Sequence, residues 1–242
     1  MKNLPHGLNE TYARILRKIT DQHQLEAIKV FKWLSASKYP LTLTEICEAI
    51  AIKSSDTYFG QIESRLPNDS LKLVQSCGDL VIINKQDQIV QFIHSTVLEF
   101  LRSFWTGINY QDYYINVSKA NLELGERCIT YLALADFETQ IATNNPTPKP
   151  EIMSQKYRLL NYTRLNWLHH CISLSTEDER TWMLFENLVY KKTLPFQHLP
   201  WVDGESSEDL PALPLFQWAI ENNHVALLNS LISQLGSTHI HQ

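Results

Sequence analysis

The stretch Leu80-Val81-Ile82-Ile83-Asn84-Lys85-Gln86-Asp87-Gln88-Ile89-Val90-Gln91-Phe92-Ile93-His94, continued by Ser95-Thr96-Val97-Leu98-Glu99-Phe100-Leu101, decides the fold. Two short runs rich in Val and Ile flank a polar segment, the pattern of a β-hairpin. Beyond His94 the period changes. Val97, Leu101 and Phe104 recur every three or four positions, with Glu99 and Arg102 between them, so the chain turns into a helix. Several helical patterns precede this hairpin, and helices followed by a hairpin describe a winged helix. His94 then stands where the wing re-enters the fold.

The helices before the hairpin carry their own signals. Leu8, Tyr12, Ile15 and Ile19 form the stripe of a first helix, with Asn9 as its N-cap. A second helix is expected over 24–37. Its apolar set (Leu25, Ile28, Val30, Phe31, Trp33, Leu34) covers so much of the circumference that the helix should be central. Pro40 ends it. Thr42 and Glu45 then read as a capping box, with Leu41 and Ile46 placed for a hydrophobic staple, opening a third helix that runs to Ile52. A polar stretch follows over 53–70, with a helical turn around Tyr58–Leu66. Leu71, Val74 and Cys77 mark a short helix ending near Gly78.

Past the hairpin the chain stays helical. Tyr110, Tyr113 and Tyr114 lead into a helix over Ser118–Ala135, with Leu122, Gly125, Cys128, Ile129 and Leu132 on its inner face. Residues 144–150 read as a linker. Leu165, Leu168 and Ile172 mark the next helix. Thr176 with Glu179 reads as a capping box for another that buries Trp182, Phe185 and Val189. The proline-containing acidic stretch 194–214 is a loop. Finally 215–232 reads as two short helices joined at Asn223-His224, with Asn223 in the left-handed conformation. That is the outline of an ankyrin-like helix pair, although Pro214-Leu215-Phe216-Gln217 stands where Thr-Pro-Leu-His is usual. One such unit cannot bury its face alone, so either further units follow or this one caps the helices before it.

The expected architecture is therefore mainly α. A first helix and a winged-helix domain with one hairpin wing occupy 1–106, a helical connector 107–210, and an ankyrin-like pair 211–242. At 242 residues, 44% hydrophobic and 19% charged, the chain is long and apolar enough for a real core. No apolar run reaches the roughly 18 residues of a membrane span, and no signal-peptide core is present, so a cytoplasmic (or nuclear) setting is expected.

Cys47, Cys77, Cys128 and Cys171 are widely separated within helical patterns and read as reduced core cysteines. His169-His170-Cys171 invites a metal reading, but adjacent helical residues point in different directions, and no metal site is expected. Net charge is −5, split as +1 over 1–106 and −6 beyond. Neither part has the basic excess that phosphate-backbone binding needs. The helix that would enter a DNA groove, 69–79, carries Lys72 as its only cation.

Several segments resemble a known family. Leu4-Pro5-His6-Gly7-Leu8-Asn9-Glu10-Thr11-Tyr12-Ala13-Arg14-Ile15-Leu16 is similar to the segment that follows the nucleotide-binding NACHT module in fungal NOD-like receptors. Trp33-Leu34 with Pro40-Leu41-Thr42-Leu43, Cys77-Gly78-Asp79-Leu80-Val81, and His94 through Leu101 resemble that family's winged-helix domain, which in some members is labelled GPI inositol-deacylase winged helix. Leu122 through Leu132, and Leu159 through His170, resemble the helical section that precedes ankyrin repeats there.

The resemblance implies a non-catalytic regulatory and protein-interaction region of a STAND-type receptor, coupling nucleotide state to a C-terminal ankyrin sensor. It implies protein partners: the NACHT module, ankyrin repeats or other receptor subunits. It makes His94 the candidate nucleotide-sensing residue, because in related proteins a winged-helix histidine contacts the β-phosphate of ADP. Thr96 and Phe100 depart from the family's usual serine and tyrosine. No Gly-x-x-x-x-Gly-Lys-Ser/Thr loop is present, so ADP or ATP would enter only through a separate NACHT module, and the chain itself is expected to need no cofactor. No Gly-x-Ser-x-Gly elbow supports the deacylase label as an activity. A nucleic-acid-binding winged helix and a stand-alone scaffold remain the alternatives.

Overall fold

A computed structural model describes residues 6–103, 111–137, 153, 155–190 and 212–238. The expectations for Leu4-Pro5, Phe104, Tyr110, the 144–150 linker and the 194–211 loop lie outside those residues. The described chain is mainly helical with one small sheet. In order come α1 (His6–Leu16), α2 (Asp21–Ala36), α3 (Leu43–Ala51), α4 (Phe59–Glu63), α5 (Ser70–Ser76), a 3-10 turn (Gly78–Leu80), β1 (Val81–Ile83), β2 (Val90–Phe92) and α6 (Ser95–Arg102). Then follow a 3-10 turn (Gln111–Tyr113), α7 (Val117–Leu132), α8 (Leu160–Cys171), α9 (Glu179–Tyr190), α10 (Ala212–Glu221) and α11 (Val225–Thr238). No helix among the described residues is long and apolar enough to cross a membrane.

The hairpin pairs β1 and β2 antiparallel, with Val81 opposite Phe92, Ile82 opposite Gln91 and Ile83 opposite Val90. Its tip is closed by side chains: Asn84 Oδ1 accepts from Gln86 N–H, and Asp87 Oδ1 accepts from Ile89 N–H. Gln88 takes the left-handed conformation there, at φ 59°. The chain entering α3 adds a minimal third strand, since Thr42 bridges Ile89 and Val90 N–H donates to Leu41 O. Helix α2 is central, as its apolar circumference predicts. It packs on α3, α5, β2 and, from beyond the hairpin, α7.

The predicted capping box is present: Glu45 N–H donates to Thr42 Oγ1 while the Glu45 carboxylate accepts from Thr42 N–H at 2.8 Å. At Gly78 the chain turns with φ 63°, and a Cβ there would lie 3.0 Å from the Ile15 side chain. Only glycine lets α1 lie this close to that turn.

Other expectations are corrected. Asn9 does not cap α1, which starts at His6; Thr11 Oγ1 donates to Gly7 O and closes the turn that Asn9 was to open. Helix α2 begins at Asp21, three residues early, because Thr20 O accepts both His23 N–H and Gln24 N–H. Leu25, Leu71 and Leu165, each read as part of a helix's apolar pattern, are 72%, 54% and 56% exposed. In α5 the buried apolar residues are Leu73 and Val74, followed by Cys77 at its C-cap; in α8 the buried face includes Tyr162, Asn166 and Trp167. Asp178, not Thr176, caps α9, accepting Thr181 N–H at 3.1 Å and Thr181 Oγ1–H at 2.7 Å. Trp182, Phe185 and Val189 are buried as predicted. The four cysteines are buried and unpaired.

Candidate functional site

The junction after β2 is built from three parts of the chain. Ile93 N–H still donates to Leu80 O, so the sheet ladder reaches the last residue before the turn. His94 is extended, at φ −153° and ψ 149°, and its ring caps α6. Its Nδ1 accepts Thr96 N–H at 3.2 Å and lies 2.7 Å from Thr96 Oγ1. Thr96 Oγ1 in turn lies 2.7 Å from the Tyr12 hydroxyl on α1, whose ring packs on Phe100 at 5.5 Å.

One assignment uses every bond: Tyr12 donates to Thr96 Oγ1, and both Thr96 donors aim at His94 Nδ1. Nδ1 is then an acceptor, so a neutral His94 carries its proton on Nε2. The ring is exposed, and Nε2 has no partner among the described residues. What results is an N–H donor on an outward-facing imidazole, held in one tautomer from behind by α1. The sequence placed Tyr12 in the stripe of the first helix and Thr96 in the segment after His94, without pairing them. Nothing in the sequence linked the two, since Tyr12 and Thr96 are 84 residues apart.

Asn223 and His224 form the second predicted site. Asn223 has φ 53°. His224 N–H donates to Ala219 O and Asn223 N–H to Ile220 O, the paired bonds that close a helix C-terminus with a left-handed residue. His224 then caps α11 through Nδ1, which accepts Leu227 N–H at 3.3 Å. Unlike His94 it is fully buried, between Phe185 (5.3 Å, stacked) and the rings of Trp182 and Trp218. Burial lowers its pKa, opposed by the backbone of His224 and Cys171. The structure does not bring His94 and His224 together: one lies at the wing, the other against α9.

Two buried polar clusters join the winged helix to the helices after it. Glu48, on α3, is 1% exposed. It accepts the Tyr131 hydroxyl of α7, and Arg158 N–H (3.0 Å) and Leu159 N–H (3.1 Å) at the start of α8. A carboxylate here satisfies orphan donors and meets the positive end of the helix dipole. Desolvation pushes the Glu48 carboxyl up from its ordinary pKa, against those three hydrogen bonds and the Arg158 charge. The signal was present in the sequence, as a glutamate inside the apolar run Ile46-Cys47-Glu48-Ala49-Ile50.

The second cluster centres on His170. Lys38 N–H donates to the Tyr162 hydroxyl (3.0 Å), Tyr162 donates to His170 Nε2 (2.8 Å), and His170 Nδ1–H donates to Asn121 Oδ1 (2.7 Å). Both ring nitrogens of His170 are engaged by protein groups. His169 beside it is exposed, while Cys171 is buried with its thiol pKa raised by desolvation.

Helices α2, α3 and α5, the minimal third strand, and the β1–β2 hairpin returning into α6 make a winged-helix domain. Residues 15–109 match the family described as GPI inositol-deacylase, winged helix domain. The chain is also similar to the azaphilone pigments biosynthesis cluster protein L of Monascus ruber. The two are 25% identical over 182 residues, which are 72% of this chain and 36% of that protein. The chain thus spans little more than a third of that relative's length. No solved structure matches.

Proposed function

We propose that this chain is a non-catalytic regulatory and protein-interaction region of STAND type. Its winged helix docks on a nucleotide-loaded NACHT module and passes that module's state to the helices and helix pair that follow. The observation that carries the reading is the His94 junction. An exposed Nε2–H donor, set in one tautomer by Thr96 and Tyr12, suits a phosphate oxygen presented by a docked partner. The two buried clusters support the second half, because movement of α3 or of the α2 C-terminus is felt directly at α7 and α8. The Monascus ruber relative's name gives a gene-cluster setting and no reaction, which is compatible with a regulatory role.

The test is the affinity of this chain for an ADP-loaded NACHT module from the same genome. A hydrogen bond to a charged phosphate predicts a loss of about tenfold or more on His94→Ala. His94→Asn keeps a capping acceptor but lacks the imidazole donor, and should lose the same affinity. Equal binding by wild type and both variants would remove His94 from the mechanism. Salt-sensitive binding of duplex DNA by the same sample would replace the reading with nucleic-acid recognition.

A further inference from the structure

A small cavity of about 180 Å³ lies between α8 and α10, lined by Arg164, Leu165, Trp167, His169, Trp218 and Asn222 among others. Two of its lining side chains hold buried donors with no hydrogen-bond partner among the described residues: Trp167 Nε1 and Arg164 Nε. Trp167 is completely buried. A buried donor without a partner is destabilising, so two at one cavity call for an explanation. Arg164 makes no ion pair among the described residues, and no lining residue is acidic. Partial desolvation and the Lys38 charge lower the pKa of the exposed His169. The remaining walls are Leu165, Leu168, Ile172 and the Trp218 ring, with Asn222, whose amide donates to Trp218 O, beside them.

We infer that this cavity binds a small monocarboxylate with an apolar body, its carboxylate accepting from Trp167 Nε1–H and the Arg164 guanidinium. Charge decides for an anion, since the one permanent charge in the lining is Arg164. The walls decide for a carboxylate on a hydrocarbon body over a fully hydrated anion, because leucine, isoleucine and tryptophan surfaces reward apolar burial. Size sets the body at about six to eight heavy atoms, since a cavity of about 150 Å³ is known to hold benzene. The site is independent of the nucleotide reading, as neither His94 nor the wing takes part.

The test is a titration of the uniformly nitrogen-15-labelled protein with benzoate, followed by NMR. Each of the six tryptophans contributes one indole N–H signal, and Trp167→Phe identifies the one belonging to Trp167. Benzoate should move that signal saturably. Benzamide, of the same shape without the charge, should bind about tenfold more weakly or worse, as a lost charged hydrogen bond requires. Arg164→Gln, read at the same indole, should weaken benzoate by a similar factor, and inorganic phosphate should bind more weakly than benzoate. The inference is overturned if benzoate gives no saturable shift at Trp167. Equal binding of benzamide, or preference for phosphate, overturns it as well, and both comparisons are made on the wild-type protein.

Discussion

His94 and His224 use the same ring nitrogen for the same purpose: Nδ1 accepts a backbone N–H in the first turn of the helix that follows. They differ in what Nε2 meets. At His94 it faces outward, and at His224 it is enclosed in the core. Replacing His94 by alanine should cost about 1 kcal/mol through the lost cap, whereas His94→Asn should be close to neutral, because asparagine caps well. Urea unfolding of both variants checks this and separates stability from the affinity effect. His170 predicts a pH dependence. Desolvation, then the charges of His169 and Lys38, lower its pKa from 6.5 to about 4. The folded state therefore binds fewer protons than the unfolded state between those values, and stability falls as pH falls through that window. The full effect is about 3 kcal/mol. Denaturant titrations at pH 7, 5.5 and 4.5 should show the fall in the wild type and a shallower one in His170→Gln.

Helices α7 and α8 approach closely because Gly125 has no side chain. A Cβ at that position would lie 2.8 Å from the His170 carbonyl oxygen, which is backbone and cannot swing aside. Gly125→Ala should therefore push α8 off α7 despite alanine's better helix propensity, costing about 1–3 kcal/mol. A thermal melt should fall by about 2–4 °C for each kcal/mol lost. An unchanged or higher Tm would mean that the two helices adjust freely. The same packing explains why periodicity misplaced three leucines. Helix α8 is covered by α7 on one side and lined by aromatic and polar groups, so Tyr162, Asn166 and Trp167 take the inner positions and Leu165 is left outside. Leu25 and Leu71 likewise sit near helix starts, where the neighbouring Ala27 and Leu73 are the residues turned to the core.

Across the molecule, the winged helix and the helices beyond it share a core. Lys32 pairs with Glu123 at 2.6 Å, Ala135 N–H donates to Thr57 O, and Asp136 accepts Phe59 N–H. Around these bonds Phe59, Tyr131, Phe137 and Tyr157 form an aromatic cluster with centroids 4.7–6.4 Å apart. Glu48 accepts the Tyr131 hydroxyl of that cluster. Glu48→Ala would strand the Tyr131 hydroxyl and two backbone donors, and should cost about 3 kcal/mol or more. Hydrogen exchange should then show faster opening in both α3 and the start of α8. Exchange altered in α3 alone would mean that the two regions are not mechanically joined through this carboxylate.

Much of this architecture was legible locally. The hairpin, the Thr42–Glu45 capping box, the glycine at position 78 and the left-handed Asn223 each follow from a few neighbouring residues. Backbone conformation and the first turn of a helix are governed by interactions over four or five positions. The His94 cap belongs to the same class. What could not be read is everything that depends on residues far apart in sequence meeting in space. Tyr12 behind Thr96, Asn121 and Tyr162 on His170, and Tyr131 with the α8 amides on Glu48 are separated by 8 to 111 positions. Most of those pairings span segments whose patterns say nothing of one another. They exist because a buried polar group must find a partner once the apolar faces have closed around it. The face each helix turns inward is decided at the same moment, by which neighbours arrive.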